Sequence, residues 1–147
     1  MPANLPRLSP FVIVLGLLSL ASTATAQSPA STCPGTKFED FFEAFAGSSE
    51  IQRAFTAQDV DVTEIDSNAQ PEPRETTVSR AHADLRFPII PTLAEQRQAG
   101  LETLVSQMEN GDVRARLQKP DTGYQLAYVF RSRGACWELH AMADTSL

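Results

Sequence analysis

The spacing of apolar residues divides this chain into segments of different period. Phe11 to Leu20 is a nearly unbroken apolar run of ten residues. Phe38, Phe41, Phe42 and Phe45 then recur at i, i+3, i+4 and i+7, which puts four rings on one face of a helix. Thr36-Lys37-Phe38-Glu39 has the form of a capping box opening that helix, and Gly47 marks its stop. Ser49-Glu50-Ile51-Gln52 has the same form and opens a short second helix with Ile51, Ala54 and Phe55 facing in. From Val60 the period shortens: Val60, Val62 and, nearly in step, Ile65 predict a short strand. Ser67 to Arg74, with Asn68, Pro71 and Pro73, reads as a loop, and Glu75 to Ala83 as a second strand. Leu85 to Pro91 is apolar, but Pro88 and Pro91 each remove a ladder donor, so it reads as an extended edge segment or loop.

Thr92-Leu93-Ala94-Glu95 is a third capping box. Leu101, Leu104, Val105 and Met108 continue it as a helical face, weakened at Gly100 and stopped at Asn110-Gly111. The last third alternates most clearly. Val113, Ala115 and Leu117 share one face of a strand, and Pro120 to Gly123 is a turn. Tyr124, Leu126, Tyr128 and Phe130 share a face of the next strand, and Arg131 to Gly134 is a second turn. Trp137, Leu139, Ala141 and Ala143 share a face of the last one. Three strands joined by short turns predict an antiparallel meander.

The first apolar run changes how the rest is read. Ten residues suit a signal peptide and are too short to span a bilayer core of about 30 Å. Ala24-Thr25-Ala26 fits the small-x-small cleavage pattern, so cleavage is expected after Ala26. This divides the chain into a signal peptide (1–26), a flexible tail (27–35) rich in Ser, Pro and Ala, and one α+β domain (36–147). The formal net charge is −6, and losing Arg7 with the signal makes it −7. An acidic chain without a basic stripe is repelled by phosphate backbones and anionic headgroups, which argues against nucleic acid and membrane partners of the mature form. Cys33 and Cys136 are the two cysteines, and in an oxidising compartment they are expected to form one disulfide. With two His at distant positions they do not make a metal-ligand cluster.

The order helix, helix, two strands, helix, three strands resembles the nuclear-transport-factor-2-like, cystatin-like cone superfamily. The residues carrying the resemblance are Phe38-x-x-Phe41-Phe42-x-x-Phe45, Ile51-Gln52, Phe87-Pro88, and the ending Tyr124-x-Leu126-x-Tyr128-x-Phe130, Gly134, Trp137-x-Leu139. They are similar to a bacterial secreted branch known as a domain of unknown function. The resemblance implies an α+β cone: a curved antiparallel sheet packed on the N-terminal helices, with a ligand between sheet and helices. The superfamily holds isomerases, dehydratases, cyclases and non-enzymatic binders, so the fold does not name a function.

Candidate chemistry is sparse. If the Trp137 face of the last strand packs on the core, Glu138 and His140 point the other way. His140 with Asp144 is a candidate acid–base pair, or else a surface histidine. His82 with Asp84 is a thinner pair. An isomerase would need a carboxylate base, with Glu138 or Asp84 as candidates, and a donor opposite, with Tyr124 or Tyr128. Tyr124, Tyr128 and Trp137 are the candidate binding residues. Arg114, Arg116, Arg131 and Arg133 form either a basic patch for an anionic partner or a solvated face paired with acidic neighbours. No nucleophile elbow, phosphate loop or metal cluster is present, and no cofactor is called for. Together these features predict an exported periplasmic or extracellular protein, a non-catalytic module binding a small molecule or another protein. The alternative is a small acid–base enzyme of isomerase or cyclase type.

Overall fold

A computed structural model describes residues 32–146. The expected signal peptide, residues 27–31 of the expected tail, and Leu147 lie outside the described residues. The described chain runs α1 (Phe38–Gly47), α2 (Ser49–Ala54), β1 (Thr56–Asp66), β2 (Arg74–Ala81), a short 3-10 helix (His82–Asp84), α3 (Leu93–Ala99), β3 (Glu102–Gln107), β4 (Val113–Gln118), β5 (Gln125–Arg133) and β6 (Cys136–Asp144). No helix among the described residues is long and apolar enough to cross a membrane.

The strands form one sheet in the order β2-β1-β6-β5-β4-β3. The sheet is mixed, whereas an antiparallel one was expected. β1 lies parallel to β6, with Val62 opposite Met142 and Glu64 opposite Asp144. These two strands come from opposite ends of the domain, so no tight turn forces them antiparallel. All other neighbours are antiparallel.

The four-ring face of α1 forms as its spacing requires. Phe38, Phe41, Phe42 and Phe45 are buried, and all four rings pack around the fully buried Phe130 at centroid distances of 5.2–6.0 Å. Phe130, Tyr128, Leu139, Leu117, Ala115 and Val113 supply the sheet side of this core. Such ring pairs add about 0.5–1.5 kcal/mol each beyond their buried area. The caps differ from expectation at two helices. The N-cap of α1 is Lys37 and makes no side-chain bond, and that of α2 is Ser48, one residue before the expected Ser49. At α3 the full capping box is present: Thr92 Oγ1 accepts from the Glu95 N–H, and the Glu95 carboxylate accepts from the Thr92 N–H at 2.7 Å.

The helix expected to continue from Leu101 to Met108 is instead a strand. Gly100 sits in the left-handed region at φ 69° and caps α3, with its N–H on the Arg97 carbonyl and that of Leu101 on the Gln96 carbonyl. Beyond it β3 pairs with β4 along six residues. Asn110-Gly111 is therefore the turn of a hairpin: the Met108 N–H bonds the Asp112 carbonyl at 2.8 Å.

A bulge corrects the reading of β6. Val129 pairs with Ala141 and Phe130 with Leu139, leaving His140 as an extra residue. The faces therefore swap at His140. Trp137 and Leu139 point to the helix-covered side, but from there on Met142 and Asp144 point inwards, and Ala141 and Ala143 do not. The disulfide Cys33–Cys136 joins residues 103 apart in sequence.

Candidate functional site

The helices leave part of their side of the sheet open. α1 covers β4–β6, whereas the β1 side carries a smaller core of Ala57, Val60 and Val62, packed by Leu85 and Met142. Met142 touches both clusters, and a hollow opens along this seam. It has two adjoining parts of about 310 Å³ and 210 Å³, which share Val62, Glu64, Ile89 and Met142. The first adds Arg80, Asp84, Leu85, Arg86 and Pro88; the second adds Thr63, Leu126, Tyr128, Ala143 and Asp144. Two larger hollows, about 470 and 500 Å³, surround the turn at Lys119–Tyr124. Their walls are mostly exposed turn residues, whereas the smaller part of the seam is built mainly on β1, β5 and β6. The seam is therefore the better-formed site.

The outer wall of the seam hangs on α2. Gln52 is fully buried, and its Oε1 accepts from the N–H groups of Ile89 and Ile90 at 2.6 and 3.0 Å. Its Nε2 donates to the Ile90 carbonyl at 2.9 Å. Tyr128 adds a second anchor, its hydroxyl donating to the Ile89 carbonyl at 3.3 Å. His82 donates from Nε2 to the Arg53 carbonyl at 2.8 Å, and the Arg53 guanidinium lies 4.9 Å over the Phe87 ring. The proline-interrupted segment is thus fixed by side chains rather than by a ladder.

The tyrosines face a negative neighbour. Burial first, then Tyr124 and Asp144, push the Tyr128 hydroxyl far above the ordinary tyrosine value. Burial first, then Asp144, raises that of Tyr124. Asp144 accepts the Ser146 N–H at 3.0 Å, and no Lys or Arg among the described residues pairs with it. Glu64 pairs with Arg80 at 3.3 Å, and both side chains are about half exposed, so the pair adds little stability.

The expected site residues separate onto two faces. Tyr128 and Asp84 line adjoining parts of the seam without a hydrogen bond between them, and Tyr124 lies by the turn hollows. His82 does not line the seam; it braces it from Arg53. Trp137 packs edge-on against Phe38 and donates to the Thr36 carbonyl at 3.3 Å, away from the hollow. Glu138 lies on the opposite face, nearly buried beneath Arg131 and Arg133, both of which pair with it. These two arginines are therefore paired with an acidic neighbour. His140 does not meet Asp144: its Nε2 lies 3.0 Å from Asp112 Oδ2. The bulge puts Asp144 on the inner side, which breaks the sequence-adjacent pair. Among the described residues no group of His, Cys, Asp and Glu could hold a metal.

Glu64 and Arg80 were not singled out in the sequence, and Gln52 was read only within a capping box and the Ile51-Gln52 motif. Glu64 falls two residues after Val62 and four after Val60, so strand alternation alone places it inside. Nothing local marks Gln52 as the anchor of the Ile89 segment.

No family model matches the chain, and no curated protein does. Among solved structures it is similar to an NTF2-like protein from Bacteroides fragilis, with a TM-score of 0.51 and 20% identity over 75% of this chain. The match spans 47% of that protein's length. The mixed six-stranded sheet with helices on one face, and this likeness, give the chain a nuclear-transport-factor-2-like fold.

Proposed function

We propose that this chain is an exported module that binds a small molecule in the seam hollow and performs no chemistry on it. The observation that carries the reading is the smaller part of the hollow: Val62, Leu126 and Met142 from three strands line it together with Ile89, and its charged side chains, Glu64 and Asp144, are exposed. Such concave, mostly apolar sites with few polar groups suit ligand binding. The tyrosine best placed for acid–base work is committed elsewhere, its proton given to the Ile89 carbonyl. The groups named for catalysis in β6, Glu138 and His140, are engaged with arginines and Asp112 on the other face. The Cys33–Cys136 disulfide supports export, because such bonds persist in oxidising compartments.

Titration with the neutral dye Nile red tests the reading. The folded protein is expected to bind it saturably with blue-shifted emission, and Met142→Trp, which fills the seam, is expected to abolish this. Absence of saturable binding, or binding unchanged by Met142→Trp, would overturn it.

A further inference from the structure

The seam hollow has two charged ends of different character. The larger part is ringed by Glu64, Arg80, Asp84 and Arg86, so its acids and bases balance. The smaller part has Glu64 and Asp144 as its charged side chains, and both are acids. They stand side by side because β1 and β6 run parallel in register, with Glu64 opposite Asp144. Arg80 reaches Glu64 from the flanking strand β2 and leaves Asp144 without a cationic partner among the described residues. The rest of this wall is mostly apolar, from Val62, Ile89, Leu126 and Met142, and the Tyr128 hydroxyl beside them is held by the Ile89 carbonyl. The field of Asp144 is felt at both tyrosines, whose hydroxyls it helps to hold protonated.

Resting on the reading of the hollow as a ligand site, we propose that its ligand is a compact organic cation: a protonated amine seated between Glu64 and Asp144, with its apolar body along Met142 and Ile89. A hard metal ion does not fit this wall. Calcium wants six to eight oxygen ligands, and here the carboxylates are set among apolar side chains. An organic anion would be repelled by the Asp144 carboxylate, which has no cationic partner among the described residues, and would find Arg80 already paired with Glu64. An amine satisfies both carboxylates and leaves its hydrocarbon on the apolar wall.

The test uses three probes that share a phenyl body and differ at the head: phenethylamine, 2-phenylethanol and 3-phenylpropanoate, titrated by calorimetry into the folded protein. The amine is expected to bind about tenfold or more tighter than the alcohol, as one charge-assisted hydrogen bond implies. The carboxylate is expected to bind most weakly. Asp144→Asn and Glu64→Gln, both at the rim, are expected to bring the amine down to the alcohol's affinity while the melting temperature stays the same. Equal binding of amine and alcohol would overturn the cation assignment and leave the hollow as a ligand site. Failure of all three probes together with Nile red would overturn the ligand site itself. The wild-type comparison decides the matter even if a variant does not fold.

Discussion

Gln52 is a polar side chain with no exposed surface, and its amide oxygen and nitrogen are both used. It replaces the ladder that the prolines deny to the Ile89 segment. Gln52→Leu keeps most of the volume but orphans the Ile89 and Ile90 N–H groups and the Ile90 carbonyl. Each buried orphan costs about 1–3 kcal/mol. Urea unfolding is expected to show a loss of several kcal/mol, with weaker Nile red binding because Ile89 is released. A loss under about 1 kcal/mol would mean that water replaces those bonds. In the sequence Gln52 reads as a capping residue of a short helix. Its role depends on a segment 37 and 38 positions downstream, which no local pattern contains. Asp144 shows the same limit. Alternation along β6 gives its side chain the wrong face, because one extra residue at His140 reverses the parity.

Among the elements, α3 shows where periodicity misleads. Leu101, Leu104, Val105 and Met108 have helical spacing, yet the chain leaves the helix at Gly100 and pairs as β3. Four apolar residues match either period once an edge strand leaves both faces open, and Leu104 and Val105 are both exposed. The glycine and the pairing with β4 decide the matter. The start of α3, by contrast, is legible because a capping box closes within four residues. Glu95 is held below its ordinary value of 4.5, first by the Thr92 backbone N–H and then by the Thr92 hydroxyl. A depressed carboxyl binds fewer protons folded than unfolded. Its contribution is therefore present above the ordinary value and lost as pH falls through the folded one. Glu95→Gln is expected to lower the melting temperature at pH 7, and the gap to the natural protein is expected to narrow as the pH falls below 4.5. A gap that does not change with pH would assign the effect to something other than the carboxylate.

At the scale of the molecule, the disulfide and the phenylalanine core act on the same corner. Cys33 and Gly35 lie against the start of α1; a Cβ on Gly35 would come within 2.6 Å of the Phe41 nitrogen. Cys136 begins β6, and its neighbour Trp137 packs on Phe38. The bond therefore fastens the entry to α1 onto the β5–β6 hairpin. Closing a loop of 103 residues corresponds to about 4.7 kcal/mol in the chain-entropy picture. Cys136→Ser is expected to lower stability by up to that amount, to open Cys33 to alkylation, and to shift Trp137 fluorescence. An unchanged melting temperature would argue that the bond adds nothing to this core.

By itself the sequence determined whatever depends on neighbours within a turn or two: the ring face of α1, the capping box of α3, the strands β4 and β5, and the cysteine pair available for a disulfide. Those features follow from side-chain period and short-range hydrogen bonding, which are written along the chain. Tertiary structure decided the parallel seating of β1 against β6, the bulge at His140, the strand identity of β3, and the meeting of Glu64 with Asp144 beside Met142. Each of these rests on contacts between residues far apart in sequence. A shift of one residue exchanges the faces of a strand, so the site could be read only once the register was fixed.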